Sequence, residues 1–307
     1  MILCCGEALI DMLPRESREG ERAFAPHPGG AVFNTAIALG RLGTPAGFFA
    51  GLSTDLFGDM LSDALSLSNV GFDLCPRSGQ PTTLAFVQLH DGQASYAFYD
   101  EATAGRMLSP QSLPEIPSGV STLFFGGISL VSEPCGSAYE ALMLREAPAR
   151  VTMIDPNIRP GFIMDQGLYR ARIERMLAAA DIVKVSDEDL RWIFGPGDIA
   201  SLAGRLLSLG PKVVFVTEGA MGAHAFTTRD TRFRPARRVA VADTVGAGDT
   251  FNAGVLAALH EAGALSRDRL AAPEPALLDA ALDLGIAAAA VTVSRAGANP
   301  PWRKEID

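Results

Sequence analysis

The strongest chemical signal in the chain is an acid set among small residues, in Asp243-Thr244-Val245-Gly246-Ala247-Gly248-Asp249-Thr250. Gly246, Ala247 and Gly248 let a backbone turn tightly and bring its N–H groups close to an anion. The apolar run 255–259 that follows reads as a helix. A helix start adds the positive end of a dipole, so the junction favours phosphate. A carboxylate there would repel phosphate, unless Asp249 takes a proton from a hydroxyl attacking that phosphate. An Asp N-cap after a Gly-rich loop is the competing structural reading.

Further clusters follow apolar strand-like runs. Asp11 closes Gly6-Glu7-Ala8-Leu9-Ile10-Asp11 after the first run, where ligands of open α/β sheets sit, and can accept hydrogen bonds from a polyol. Gly29-Gly30-Ala31-Val32-Phe33-Asn34 opens a helical run, and Asn34 offers both a donor and an acceptor. In Asp155-Pro156-Asn157-Ile158-Arg159, the guanidinium is a fork suited to phosphate or carboxylate, with a surface ion pair as the alternative. In Lys184-Val185-Ser186-Asp187-Glu188-Asp189, Ser186 can cap a helix and the carboxylates can hold hydrated magnesium. Thr217-Glu218-Gly219-Ala220-Met221-Gly222 permits a flat ring or phosphate close to backbone, or simply a tight turn.

Positioning these groups requires a layered scaffold. Strands are predicted at 2–5, 46–50, 122–125, 151–154, 182–185 and 213–217. Helices are predicted at 31–42, 57–68, 137–145, 169–179, 187–193, 199–209, 249–262 and 275–293. This alternation predicts an α/β fold with a mostly parallel sheet buried on both faces by helices. Two regions break the rhythm. The polar stretch 13–27 reads as a short hairpin, and 82–89 with 95–99 as two strands joined through His90-Asp91-Gly92-Gln93. Together they predict a small β lid, inserted at about 13–28 and 82–100. An ordinary edge hairpin is the alternative.

The 307 residues, 48% of them hydrophobic, suit one domain over 1–307. A net charge of −9 argues against non-specific nucleic-acid binding, so any phosphate site must be built locally. Cys4, Cys5, Cys75 and Cys135 lack metal-ligand spacing and read as reduced core thiols of a cytoplasmic protein. No signal peptide and no membrane-spanning segment are expected, and the run 287–293 reads as part of a packed helix. No GxxxxGK[ST] loop occurs. The third glycine of a dinucleotide fingerprint is missing, which argues against a dinucleotide-dependent oxidoreductase.

Taken together, these motifs resemble the ribokinase-like, phosphofructokinase B-type carbohydrate kinases. DTVGAGDTFNAGVL, 243–256, matches one family signature in full. GGAVFNTA matches the other except at Val32, and Thr217-x-Gly219-x-x-Gly222 keeps the nucleotide motif. Ser186-x-x-Asp189 departs from the family's Asn-x-x-Glu magnesium motif. The resemblance implies a three-layer α/β/α domain with a β lid, a phosphotransferase using ATP and magnesium, and Asp249 as base. It implies an anion hole at Gly246, Ala247 and Gly248, with Arg159 on the phosphoryl group. Asp11, Gly29, Gly30, Asn34 and Arg106 would meet the sugar, and Lys184, Ser186, Thr217, Gly219, Gly222 and Gly248 the nucleotide. Asp189 would hold magnesium through water. Backbone oxygens near Asp243, Val245 and Gly297 would hold a monovalent cation, potassium.

Ala31 and Leu9 replace the Lys and Asn that ribokinases resembling this chain carry; Asp155-x-Asn157-x-Arg159 resembles the fructokinase and 2-keto-3-deoxygluconate kinase branch, and Ala104-Gly105-Arg106-Met107-Leu108 resembles bacterial fructokinases more closely. The expected reaction is ATP-dependent phosphorylation of a primary hydroxyl of a ketose, fructose to fructose 6-phosphate. 2-Keto-3-deoxygluconate kinase and ribokinase are the alternatives within the family. A non-catalytic sugar or nucleotide sensor is the alternative of another class. A homodimer through the lid is also expected, with no membrane or nucleic-acid partner.

Overall fold

The computed structural model describes residues 1–90 and 93–306, so Asp91 and Gly92 of the expected turn lie outside the described residues. The chain opens with β1 (Ile2–Cys5), β2 (Leu9–Glu16), β3 (Arg22–Gly29), α1 (Ala31–Arg41) and β4 (Ala46–Phe49). It continues with β5 (Leu52–Ser53), α2 (Leu56–Leu67), β6 (Val70–Gly71), β7 (Arg77–Ser78), β8 (Leu84–His90) and β9 (Gln93–Tyr99). The middle holds β10 (Thr122–Gly126), α3 (Cys135–Glu146), β11 (Val151–Asp155), α4 (Gln166–Ala179), β12 (Ile182–Ser186), α5 (Asp187–Phe194) and α6 (Ile199–Leu207). The last part is β13 (Val213–Thr217), β14 (Gly222–Phe226), β15 (Thr231–Pro235), α7 (Ala247–Glu261), α8 (Arg267–Ala271) and α9 (Pro275–Val293).

Among the described residues, nine strands form the central sheet in the order β15-β14-β13-β12-β11-β10-β1-β4-β6. It is parallel from β13 to β6, while β14 and β15 add an antiparallel edge. The alternation expected of strands buried on both faces is plain in β1. Ile2 and Cys4 join a core with Phe33 and Ile37 of α1 and Leu256 of α7, whereas Leu3 and Cys5 join Tyr139 of α3 and Ile173 of α4. Helices on both faces give the expected three-layer α/β/α arrangement. β14 and β15 were not expected, because GAHAF and TRFRP are short and carry no continuous apolar run.

A second sheet, β3-β2-β8-β9, has four strands among the described residues. Its first hairpin is longer than the expected 13–27, since Leu9 and Ile10 already pair with Gly29 and Pro28. Asp11 therefore sits on strand β2, opposite His27 and Ala85, and not in a loop. Pro26 and Pro28 are tolerated on β3 because it is an edge strand.

The expectation that no stretch is long and apolar enough to span a membrane is corrected at one helix. Helix α9 is long and apolar enough to cross a membrane by length and composition. Its apolar residues are used in packing: Leu278, Ala281 and Leu282 are buried in the core shared with α7. Its Asp279 and Asp283 pair with Arg232 and Arg234 of β15. All four cysteines are free and buried. Burial pushes the Cys75 and Cys135 thiols up to about 12.

Candidate active site

A cleft of about 700 Å³ runs along the carboxyl ends of β11, β12 and β13, between the second sheet and the start of α7. The α7 end is built mainly of backbone. Gly246 caps the helix at φ 76, a left-handed conformation, and no side chain caps the first turn. A Cβ on Gly246 would stand 2.8 Å from that of Ala298, so both backbone angle and space call for glycine. The N–H groups of the first helical turn have no intrahelical acceptor. Those of Gly248 and Asp249 thus carry the dipole's positive end into the cleft, as phosphate recognition requires.

Asp249 lies in that first turn, 7% exposed. One carboxylate oxygen accepts from Asn34 Nδ2 at 2.9 Å, and Thr35 Oγ1 donates to the Asp249 carbonyl at 3.2 Å. These bonds tie α7 to α1. Burial raises the carboxyl from its ordinary 3.8 to about 7; the Asp155 charge adds to this and the Asn34 hydrogen bond opposes it. A carboxyl poised near neutrality suits a general base.

Behind it lies a buried charge cluster. Lys184 Nζ donates to Asp155 Oδ2 at 2.9 Å, and Asn252 Nδ2 donates to the same oxygen at 2.7 Å. Arg159 stands exposed at the cleft wall, its guanidinium bonded to the Ile158 carbonyl at 3.0 Å. Among the described residues no carboxylate pairs with it within ion-pair distance, which removes the surface ion-pair alternative.

At the other end, Asp11 points into the cleft from β2, and burial raises its carboxyl to about 6. Gly29, on the paired strand, makes room for it, because a Cβ there would lie 2.3 Å from Asp11 Oδ2. Glu7 accepts from the N–H groups of Ala31 at 2.8 Å and Ser129 at 3.2 Å, fixing the start of α1. Burial raises its carboxyl. Phe98 of β9 meets Phe162 in an edge contact, centroids 4.5 Å apart, joining the second sheet to the loop after Arg159.

The structure thus brings Asp11, Gly30, Asn34, Arg159, Lys184, Ser186, Asp189, Thr217, Gly219 and Val245 through Asp249 to one cleft. Other expected residues stand elsewhere. Arg106 does not line the cleft; its guanidinium is held by Asp100 at 2.9 Å and the Glu133 carbonyl at 3.2 Å. Gly222 does not line it either, and serves the close β14–β15 contact, since a Cβ would meet the Arg234 carbonyl at 2.1 Å. Asp243 and Gly297 do not line the cleft; the Asp243 carboxylate accepts from the N–H groups of Val245 at 3.0 Å and Gly297 at 2.9 Å. Ser186 lines the cleft but is engaged as the N-cap of α5 in a reciprocal box with Asp189. The Asp189 carboxylate receives the N–H groups of Ile158 at 3.0 Å and Ser186 at 3.3 Å. Glu7, Asp155, Asn252, Phe98 and Phe162 were not singled out from sequence. A lone acid directly after an apolar strand was the available signal for Glu7 and Asp155, and the two phenylalanines carried none.

Comparison with known proteins agrees with this geometry. The model of the pfkB family carbohydrate kinases matches residues 1–305. A fructokinase of Rhizobium leguminosarum bv. trifolii is 54% identical over 271 residues, 88% of this chain and 83% of the relative. The crystal structure of a Xylella fastidiosa fructokinase with bound ATP superposes with a TM-score of 0.89 at 30% identity, covering 99% of this chain and 96% of that one. A Vibrio cholerae O395 fructokinase bound to fructose, ADP and calcium gives 0.84 at 25% identity, covering 97% and 94%.

Proposed function

This chain belongs to the pfkB family of carbohydrate kinases, and from that premise we propose that it is a fructokinase, moving the γ-phosphoryl group of ATP to the 6-hydroxyl of fructose. The placement of Asp249 carries this assignment: a buried carboxyl near neutrality, beside unclaimed helix N–H groups, at the junction of the two ends of the cleft. Asp11, Asn34 and Gly30 hold the sugar hydroxyls. Asp249 takes the proton from the attacking hydroxyl as its oxygen approaches phosphorus. Within the Gly246–Ala247–Gly248 stretch the Ala247 N–H is held by the Thr244 carbonyl at 3.3 Å, so the N–H groups of Gly248 and Asp249 receive the charge that develops on the phosphoryl oxygens. Arg159 adds a cationic fork from the rim, while Thr217 and Gly219 border the nucleotide.

The residues present fit magnesium that enters on the nucleotide. Among the described residues no group of three His, Cys, Asp or Glu side chains could hold a metal ion by itself. Magnesium keeps its waters and leans on substrate phosphates, so Asp187, Glu188 and Asp189 would hold it through water. Bound there, it would offset phosphate charge. Backbone oxygens at Asp243, Val245 and Gly297, drawn together by the Asp243 carboxylate, would hold potassium.

Residues 1–307 act as one kinase unit with the second sheet as a lid. Exposed Phe24 and Tyr99, each packed edge-on against the half-buried Phe86, support a homodimer through the lid. Four unpaired thiols support a cytoplasmic setting. An ATP-consumption screen over fructose, ribose, 2-keto-3-deoxygluconate, adenosine and fructose phosphates tests the assignment. Fructose is expected to give the highest kcat/KM. A faster acceptor overturns the substrate, and no consumption with any of them overturns the kinase reading.

A further inference from the structure

Lys184 is 5% exposed on β12, among apolar neighbours, and its partners Asp155 and Asn252 are 2% and 1% exposed. Burying a lysine and a carboxylate together seldom gains stability over apolar residues of similar volume, so the pair calls for another reason. Its geometry supplies one. Asp155 Oδ2 takes both the Lys184 ammonium and the Asn252 amide, while Asp155 Oδ1 accepts from the Asn157 N–H at 3.2 Å. The carboxylate is thereby locked, and it locks the ammonium. Nζ lies 3.1 Å from where a Gly248 Cβ would be, directly under the anion-hole loop, and Lys184 lines the cleft. An ammonium has three donors, and the Asp155 carboxylate engages one of them. Asp189, at the position where the family motif places its magnesium acid, already receives the N–H groups of Ile158 and Ser186, so magnesium there would be held only through water.

We propose that Lys184 is a catalytic residue acting on the phosphoryl group in flight, with Asp155 and Asn252 as positioning residues that aim its ammonium at the anion hole. This rests on the kinase reading above and goes beyond nucleotide binding. The acceptor hydroxyl oxygen forms its bond to the γ-phosphorus as its proton passes to the Asp249 carboxylate. The bond from that phosphorus to the β–γ bridging oxygen breaks, and the electron pair leaves with ADP. Lys184 stays protonated throughout and donates to oxygens whose charge grows during transfer, so it favours the transition state over bound ATP.

The decisive comparison sets Lys184→Met beside the charge-balanced double variant Lys184→Met/Asp155→Asn, with Asp155→Asn alone as reference. Steady-state kinetics use MgATP and the best acceptor of the wild-type chain. That wild-type measurement tests the kinase reading; the ratios of variant to wild type test Lys184. Loss of one transition-state donor is expected to lower kcat about 10²–10³-fold. The KM for ATP should stay within about threefold, and the double variant should remain as slow. Recovery of the double variant to within about threefold of wild type makes Lys184 a mere counter-ion and overturns the proposal. So does a loss confined to the KM for ATP, or an Asp155→Asn loss equal to that of Lys184→Met. If Lys184→Met alone does not fold, as a melt and ADP calorimetry will show, the double variant decides the matter.

The acid limb of kcat/KM adds a readout that packing alone would not move. Asp249 is faced by Asp155, Lys184 and Glu7, and the lysine charge holds its carboxyl down. Lys184→Met should move the limb to higher pH and Asp155→Asn to lower pH. Unmoved limbs in both overturn the proposal.

Discussion

The two ends of the cleft are made from different materials. At the α7 end the working parts are backbone N–H groups, three small residues and one acid, contiguous in sequence. At the second-sheet end they are side chains from separate strands: Asp11 on β2, Phe98 on β9, with Gly29 on β3 cleared for the carboxylate. Backbone donors are held by the helix itself and are indifferent to the acceptor molecule. Side chains delivered by a sheet can be exchanged one at a time. On the proposed reading, the difference separates the transfer chemistry, built on one short run of main chain with Asp249 and Lys184 against it, from the choice of sugar, left to side chains that separate strands bring together.

The sharpest way to break that division is Asp249→Asn. Losing a general base is expected to lower kcat by about 10²–10⁴-fold while calorimetry still finds ADP and fructose binding. The wild-type kcat/KM should fall tenfold per pH unit below about 7, the limb vanishing in the variant. Near-normal turnover in Asp249→Asn would place the base elsewhere.

Next comes the sugar end. Asp11→Ala removes charge-assisted hydrogen bonds of about 1.5–3 kcal/mol, which predicts a roughly 10–100-fold rise in the KM for fructose. kcat should change much less, and Gly29→Ala should copy the effect by displacing the Asp11 carboxylate. Equal losses in kcat and kcat/KM would show that the sugar end also shapes the transition state.

A smaller effect is expected at Gly246→Ala. The left-handed backbone alone costs a non-glycine residue about 1–2 kcal/mol, before the contact with Ala298. Denaturant melts should show that loss; an unchanged midpoint would mean the loop can relax.

The last effect concerns stability and pH. Below about 3.8 the Asp249 carboxyl is protonated whether folded or unfolded; from there to about 7 the folded state alone keeps the proton. The proton-linked stabilisation is therefore full at low pH and is lost as pH rises through about 7. Asparagine has no proton to lose, so Asp249→Asn should melt a few degrees above the wild type at pH 8, with the gap closing towards pH 4. A gap of the same size at both pH values would show that the carboxyl is not buried at this cost.

How far the fold and site were legible follows the same division. The apolar strands of the central sheet, and α9 to the residue, could be read because burial on both faces leaves continuous hydrophobic runs. The expected hairpin begins only at residue 13, so the start of β2 at Leu9, and with it the strand position of Asp11, does not show in the sequence, because Glu7 and Asp11 interrupt the apolar run. Gly246–Asp249 was legible because its parts are adjacent in sequence. The Asp155–Lys184–Asn252 cluster was not, because it is closed by residues 29 and 97 positions apart that only the sheet order brings together. Arg106 misled because a cation near a lid reads the same whether it faces substrate or, as here, Asp100.

The buried cysteines have a use in the laboratory. None is exposed, and two of them form the end of β1, an interior strand of the main sheet held between β10 and β4. A thiol-directed dye can reach Cys4 and Cys5 only when that sheet opens, so their labelling rate is a clock for the rarest opening of the molecule. Slowing of that clock by fructose or nucleotide would measure ligand engagement without any assay of turnover.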